Sequence, residues 1–397
     1  MMSWLTYTVQ ELIDNGWLEE PLDGNHGSIH PKATDYVSSG VPFIMATDLK
    51  GGSVDLVNCA FISEQQASTL RKGFSHPGDV LLTHKATIGR TAIVPDTCRT
   101  IILTPQVTYY RVKKQICNRY LKYYFDTPGF QATLANWAGS GSTRAYLGIT
   151  AQKKLPVVLP DFETQLRISG ILGALDDKIA ANTRINDNLF QQLQAIYQMM
   201  FGEASQNGEQ GGRLSDICAY SQRRITVSSL SRESYYSTEN MLPGKAGAVA
   251  ASSLPSIVQT TGCMPGDVLI SNIRPYFKKI VYSQSECGCS TDVLCFVPKA
   301  PDFSLFLFST LYDDHFFDYM VAGSKGTKMP RGDKQQIMAY PVVLPLAAQL
   351  KGFNAVAQPI LSKIETSNQE NKRLASMRDA LLPKLMSGEI DVSSITA

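Results

Sequence analysis

The chain has 397 residues, 44% of them hydrophobic and 18% charged, with 37 Lys plus Arg against 35 Asp plus Glu. That length allows two or three cores, and the near-balance of charge excludes a uniformly basic sleeve for a polyanion. No run of about 18 apolar residues occurs, and the opening MMSWLTYTVQELIDNGWLEE puts acids where a secretion signal needs an apolar core, so a soluble, cytoplasmic protein without a membrane span is expected.

In chain order, residues 1–155 make a first expected domain. Its β-type runs VPFIMATDL (41–49), DVLLTHK (79–85), TAIVP (91–95) and ILTPQVTYYRV (102–112) are broken by glycine and proline. ICNRYLKYYFDTPGFQATLANWA (116–138) then reads as one or two helices, and a glycine-rich turn, WAGSGSTR (137–144), leads to PVVLP at 156–160. Residues 156–205 carry 3 basic and 6 acidic side chains and contain a long helix over about 162–202. Within it Ile168, Leu172, Leu175, Ile179, Asn182, Asn186, Leu189, Leu193, Ile196 and Met200 alternate spacings of four and three, the pattern of a coiled-coil seam.

After a polar connector, ASQNGEQGG (204–212), the same order returns. The second expected domain, 206–340, holds DVLISNI (267–273), KKIVYS (278–283), TDVLCFVP (291–298), the helical run 303–322 and a turn, VAGSKGTK (321–328). PVVLP recurs at 341–345, an offset of 185, and PGDVL occurs at both 77–81 and 265–269. Residues 341–397 contain a second long helix over about 346–386. Adding 185 to the first seam gives Phe353, Ala357, Ile360, Ile364, Ser367, Asn371, Leu374, Arg378, Leu381 and Leu385, all but Arg378 apolar or small polar. The expected fold is α+β: two globular domains in tandem repeat, joined and separated by two long antiparallel coiled-coil helices. A mid-seam asparagine recurs as Asn186 and Asn371, which suggests a register-setting contact.

The sequence holds few catalytic signatures. There is no G-x-x-x-x-G-K-[ST] loop, GSGST (139–143) lacks the phosphate-reaching lysine, and Asn272-Ile273-Arg274-Pro275-Tyr276 lacks the second proline of an amino-methyltransferase hinge. His26 and His30 are four apart in a glycine-proline loop, without the glutamate of a metallopeptidase helix, so no metal site is expected. The eight cysteines read as reduced thiols; Cys287 and Cys289 would be half a metal or redox site with no second pair to complete it. Two dissimilar domains on a duplicated frame point to binding rather than turnover. The loops after the two PGDVL turns are richest in groups that contact nucleic acid: Thr83, His84, Lys85, Thr87 and Arg90 in one copy, and Ser271, Asn272, Arg274, Tyr276, Lys278 and Lys279 in the other. The glycine turns add Arg144, Lys325 and Lys328; they serve either to hold a phosphate or only to lead from domain to helix.

The order of these parts, with GDVLLTHKATIGRTAIVP (78–95), GDVLISNIRPYFKKI (266–280), the paired PVVLP runs and a closing LLPKLMSGEI, resembles the DNA-specificity subunit of type I restriction-modification enzymes. The resemblance spans about residues 4–390. It implies two target-recognition domains, each reading one half of an interrupted double-stranded DNA sequence, with the helices fixing the gap. It further implies two modification subunits that carry S-adenosylmethionine and adenine N6-methylation, and motor and nuclease subunits that use ATP and Mg, so this chain is expected to be non-catalytic and to bind no cofactor. A seam of roughly 48 Å corresponds to about 14 base pairs as an upper guide. The sequence departs from the family pattern where LPLAAQL lacks the acid present in LPDFETQL, and where ATIGR (86–90) replaces a first glycine. Alternatives are a specificity subunit of a combined nuclease-methyltransferase and a scaffolding protein whose two domains bind other ligands.

Overall fold

At both Pro-Gly-Asp turns the glycine sits at positive φ, 84° for Gly78 and 91° for Gly266, a conformation that costs little only without a Cβ. In the computed structural model, which describes residues 4–96, 100–139, 145–202 and 211–394, each glycine amide donates to the far end of a hairpin. Gly78 reaches the Val94 carbonyl at 2.9 Å and Gly266 the Ser283 carbonyl at 2.8 Å. The aspartate that follows is buried in both copies. Asp79 accepts from Arg111 Nε at 2.9 Å and Nη2 at 2.8 Å, and Asp267 accepts from Arg223 Nη2 at 2.5 Å. The repeated motif is therefore a structural latch: a left-handed turn backed by a charge-assisted bond to an arginine on another segment.

The chain forms two compact units, one of Met1–Ala181 with Glu370–Ala397 and the other of Asn182–Gln369. In the first, strand Val80–Lys85 pairs antiparallel with Thr87–Ile93 and Val107–Tyr110, and Leu22–Asp23 completes a four-stranded sheet. In the second, Val268–Ser271 pairs with Ile280–Tyr282 and Val293–Pro298, and Cys218–Tyr220 completes the sheet. A second sheet also repeats. Ile101–Leu103 lies antiparallel to Phe74–Ser75 and parallel to Val41–Ile44; Cys287–Cys289 lies antiparallel to Gln259–Cys263 and parallel to Tyr235–Tyr236. Each PVVLP run supplies a strand that pairs with the opening strand of its unit, Pro156–Leu159 with Leu5–Thr8 and Pro341–Val343 with Gly211–Arg213.

The run 116–138 is two helices, Asn118–Asp126 and Pro128–Trp137, broken where Thr127 caps the second and Pro128 takes its first turn. Its counterpart is Phe303–Tyr312 and Asp314–Ala322, capped by Asp313. These helices cover one face of the four-stranded sheet and the second sheet covers the other. Val80 and Leu82 accordingly pack with Tyr120 and Leu121, whereas Leu81 packs with Ile44, Ile101 and Leu103. Val268 and Ile270 pack with Phe306, and Leu269 faces Cys263, Cys287, Cys289 and Cys295. The pair Cys287 and Cys289 thus does have two more cysteines beside it, with Cys263 Sγ 3.6 Å from Cys289 Sγ, and all the described cysteines are free. Each buried Leu or Phe in these layers contributes about 1.5–3 kcal/mol.

The long helices are Phe162–Tyr197 and Ala347–Met386. Nine of the ten seam positions of the first lie on it, with Met200 in the following turn Gln198–Gly202, and all ten of the second lie on theirs. All of them, Leu175, Ile179, Leu189, Ile196, Ile360, Leu374 and Leu381 included, are buried or half-buried, while the positions between them are largely exposed. In the first unit Ile168 and Leu172 pack with Leu382, Leu385 and Met386, and Arg378 Nη1 meets Asp176 Oδ1 at 2.8 Å. In the second unit Leu193 packs in one cluster with Phe353, Ala357 and Ile364, and Asn186 Nδ2 donates to Asn368 Oδ1 at 2.9 Å. Within each unit residue numbers rise on one helix as they fall on the other, so the segments are antiparallel. The seam asparagine Asn186 is bonded to Asn368, three residues from the repeat-related Asn371. Asp161 caps the first helix through the Thr164 amide at 3.0 Å; in the second, which lacks that acid, Gln349 Oε1 accepts from the Leu346 amide at 2.9 Å.

Candidate nucleic-acid interface

In both units the loop after PGDVL is strapped to the segment that follows the glycine-rich turn. Lys85 bridges Tyr146 in the first unit, where the Ala86 amide donates to the Ala145 carbonyl at 3.0 Å and the Leu147 amide to the His84 carbonyl at 2.9 Å. Ile273 bridges Arg331 in the second, where the Arg274 amide donates to the Pro330 carbonyl at 2.8 Å and Lys325 also bridges Arg331. Two polar stretches some sixty residues apart in sequence therefore form one edge, built the same way twice.

In the first unit Ala86, at φ 65°, makes the tight turn between the strands. Lys85 and Thr87 beside it are half-buried and Arg90 is exposed, with Lys85 Nζ 5.9 Å from the Tyr146 ring centre. Arg90 Nη1 donates to the Ala46 carbonyl at 3.1 Å, which fixes its stem. Thr83 and His84 do not share this surface. Thr83 is buried and its Oγ1 accepts from the Arg90 amide at 2.9 Å; His84 is buried, with Nδ1 donating to the Leu147 carbonyl at 3.0 Å. Burial pushes the His84 imidazole below its ordinary range, so the ring is neutral. Tyr146, which lies over His84 at 5.7 Å and is 49% exposed, is a candidate that sequence reasoning missed. The only signal for it was an aromatic placed just after a glycine turn. Arg144 lies outside the described residues.

In the second unit Ser271 and Asn272 are likewise buried. The cause is the same in both copies: the strand that carries them is covered on both faces, so its polar end residues face protein rather than solvent. The loop beyond is held in a strained shape. Arg274 and Lys278 both have φ of 50° and Lys245 beside them 62°, left-handed conformations that cost about 1–2 kcal/mol each in a residue with a Cβ. Four bonds hold it there. The Gly244 and Lys245 amides donate to the Phe277 and Lys278 carbonyls, each at 2.8 Å; Lys279 Nζ donates to the Thr238 carbonyl at 2.5 Å; and Lys278 Nζ pairs with Asp314 at 2.8 Å. Lys245 also pairs with Asp314 at 2.7 Å, and these two lysines draw the Asp314 carboxyl down to about 2. Burial lowers the Lys279 ammonium. Of the proposed contacts, Arg274 is half-buried, Tyr276 is exposed at the loop tip, and Lys325 and Lys328 are exposed on the strapped partner, with Lys325 paired to Asp333. Lys278 and Lys279 are spent on holding the loop.

Among the described residues no cluster of three or more His, Cys, Asp or Glu side chains is arranged to hold a metal ion, and no helix is long and apolar enough to cross a membrane.

The fold and its paired edges define a duplicated α+β protein with two separately built loop surfaces and long antiparallel helices. Residues 22–191 match the family model of the type I restriction modification DNA specificity domain. The chain is 24% identical to the type I restriction enzyme MjaIX specificity subunit of Methanocaldococcus jannaschii, over 92% of this chain and 90% of that protein. Its fold is similar to that of the type I restriction-modification S subunit from M. genitalium, with a TM-score of 0.57, 12% identity and coverage of 96% of each chain. The chain is thus similar in sequence to a type I restriction-modification specificity subunit over nearly its whole length.

Proposed function

We propose that this chain selects the DNA target of a type I restriction-modification system, each of its loop surfaces reading one half of an interrupted duplex sequence. Residues 1–155 and 206–340 are the two target-recognition domains, and 156–205 and 341–397 are the spacer segments that set the gap. The chain itself makes no covalent change. Modification subunits bring S-adenosylmethionine and methylate adenine N6 at the chosen site, and motor and nuclease subunits cut DNA that lacks the mark. The observation that carries this reading is the strapped double loop: the same bridge occurs in both units, while the side chains it displays differ, Lys85, Thr87, Arg90 and Tyr146 on one and Arg274, Tyr276, Lys325 and Lys328 on the other. One frame offering two different sets of hydrogen-bonding groups is what reading two unrelated half-sites requires.

The test is methylome sequencing of cells with and without the gene. Loss of one bipartite adenine-methylation motif on deletion is expected; an unchanged methylome in cells that express the modification subunits would overturn the assignment.

A further inference from the structure

The tip of the second unit's loop carries a pair of exposed aromatics that the corresponding tip of the first unit lacks. Tyr276 and Phe277 stand side by side, ring centres 4.8 Å apart, 50% and 39% exposed. The strapped partner segment adds Met329, 51% exposed. The equivalent tip of the first unit, Ala86 and Thr87, has no aromatic. An apolar prong in water is unfavourable, and here it is also held rigid. Left-handed residues stand on either side of it, Pro275 fixes the backbone before it, and the Phe277 and Lys278 carbonyls are bonded to the Gly244 and Lys245 amides. Cations interleave with it in sequence, Arg274 before and Lys328 beside Met329, the pattern of a surface that meets stacked bases framed by phosphates.

We propose that Tyr276 and Phe277 are a wedge that enters between two neighbouring base pairs of the half-site read by the second unit and unstacks them. This rests on the DNA-selecting reading above and assigns it an asymmetry: one half-site is read on an intact helix and the other on a locally opened one. Insertion of apolar side chains at a base step deforms the duplex, and the cost of doing so depends on the step. The wedge thus adds selectivity at a position where no hydrogen bond to a base edge is made.

The experiment uses the complete complex with its modification subunits and the target defined by methylome sequencing. Duplexes carry 2-aminopurine at each adenine or pyrrolo-cytosine at each cytosine in turn, so that one strand or the other reports on every base pair. With the unaltered complex a several-fold fluorescence rise is expected at one step of the half-site read by the second unit, apart from the target adenines, which the modification subunits extrude for methylation. Tyr276→Ala with Phe277→Ala should abolish that rise and weaken cognate binding by about 5- to 150-fold, the range for losing one aromatic contact to a base. Tyr276→Phe should keep both, which separates a ring that stacks from a hydroxyl that hydrogen-bonds. Specific binding by the unaltered complex with no rise beyond those target adenines, or a rise at the wedge step that survives in the double variant, would overturn the wedge and leave DNA selection standing. No preference for the target over scrambled duplex would remove both.

Discussion

Arg274 combines a half-buried side chain with a backbone that few arginines adopt, φ 50° and ψ 64°, and its Nη2 reaches only as far as the Lys328 carbonyl at 3.5 Å. Its Nε is buried and has no partner among the described residues. Arg274→Ala is expected to cost about 1–3 kcal/mol on the cognate duplex and to relax preference at one base pair. A uniform loss over all sequences, with the salt slope reduced by about one, would make it a phosphate contact instead; titrations on cognate and scrambled duplexes at several salt concentrations distinguish the two. His84 is the opposite kind of residue, enclosed and neutral. Its folded-state pKa lies below the ordinary 6.5, so as pH falls through 6.5 the unfolded chain takes up a proton that the folded chain refuses. Stability from this residue is therefore full above that pH and declines below it. Urea midpoints of the wild type should drop more between pH 7.5 and 5.5 than those of His84→Gln; equal drops would show that the imidazole is not held neutral. From the sequence, Thr83, His84, Ser271 and Asn272 looked like loop donors because they are polar and follow apolar runs. Nothing local reveals that their strand is sandwiched between helices and a second sheet.

The seam periodicity of the long helices is visible in the sequence because burial repeats with the helical turn, and every position chosen on that basis faces protein. Which residues meet across the seam is not visible, since antiparallel register depends on the whole unit. Asn186 bonds to Asn368, and the charged seam residue Arg378 is accommodated by Asp176, which also accepts from Tyr123 at 2.7 Å. Replacing Arg378 by Ala should lower stability by about 1–3 kcal/mol, as expected for a hydrogen bond to a charged group. Asp176→Asn should lower it similarly, and the double variant should show coupling in a cycle of melting experiments. Strictly additive losses would mean that the pair contributes nothing beyond packing. Asn186→Leu should raise the melting temperature by removing a buried amide from the seam, at the expense of the contact that distinguishes one register from another. A large fall would instead show that the Asn186 to Asn368 bond is a net source of stability.

For the molecule as a whole, two short phrases, PVVLP and PGDVL, were enough to disclose the duplication, because each marks a place where backbone geometry leaves little choice. The first is the strand that closes a unit, and the second is the latch of Gly78 with Asp79 or Gly266 with Asp267. The strapped edges were not legible, since Lys85 and Tyr146, or Ile273 and Arg331, are brought together only by folding of everything between them. The small second sheets were largely hidden too, as strands of two or three residues such as Phe74–Ser75 and Tyr235–Tyr236 carry almost no periodic signal. Fold similarity to the M. genitalium subunit at 12% identity makes the same point. Between the two units of this chain the latches and straps persist while the displayed side chains differ.

The closing segment, Glu370–Ala397, completes the first unit, which otherwise ends at Ala181. A chain emerging from the ribosome therefore makes the uninterrupted Asn182–Gln369 unit available to collapse first. The partners of Ile168 and Leu172, Leu382 and Leu385, come after that whole unit in the chain. The first unit is therefore sealed only after the second has been made, and a chain stopped between the two leaves Ile168 and Leu172 as an open apolar strip rather than a working half.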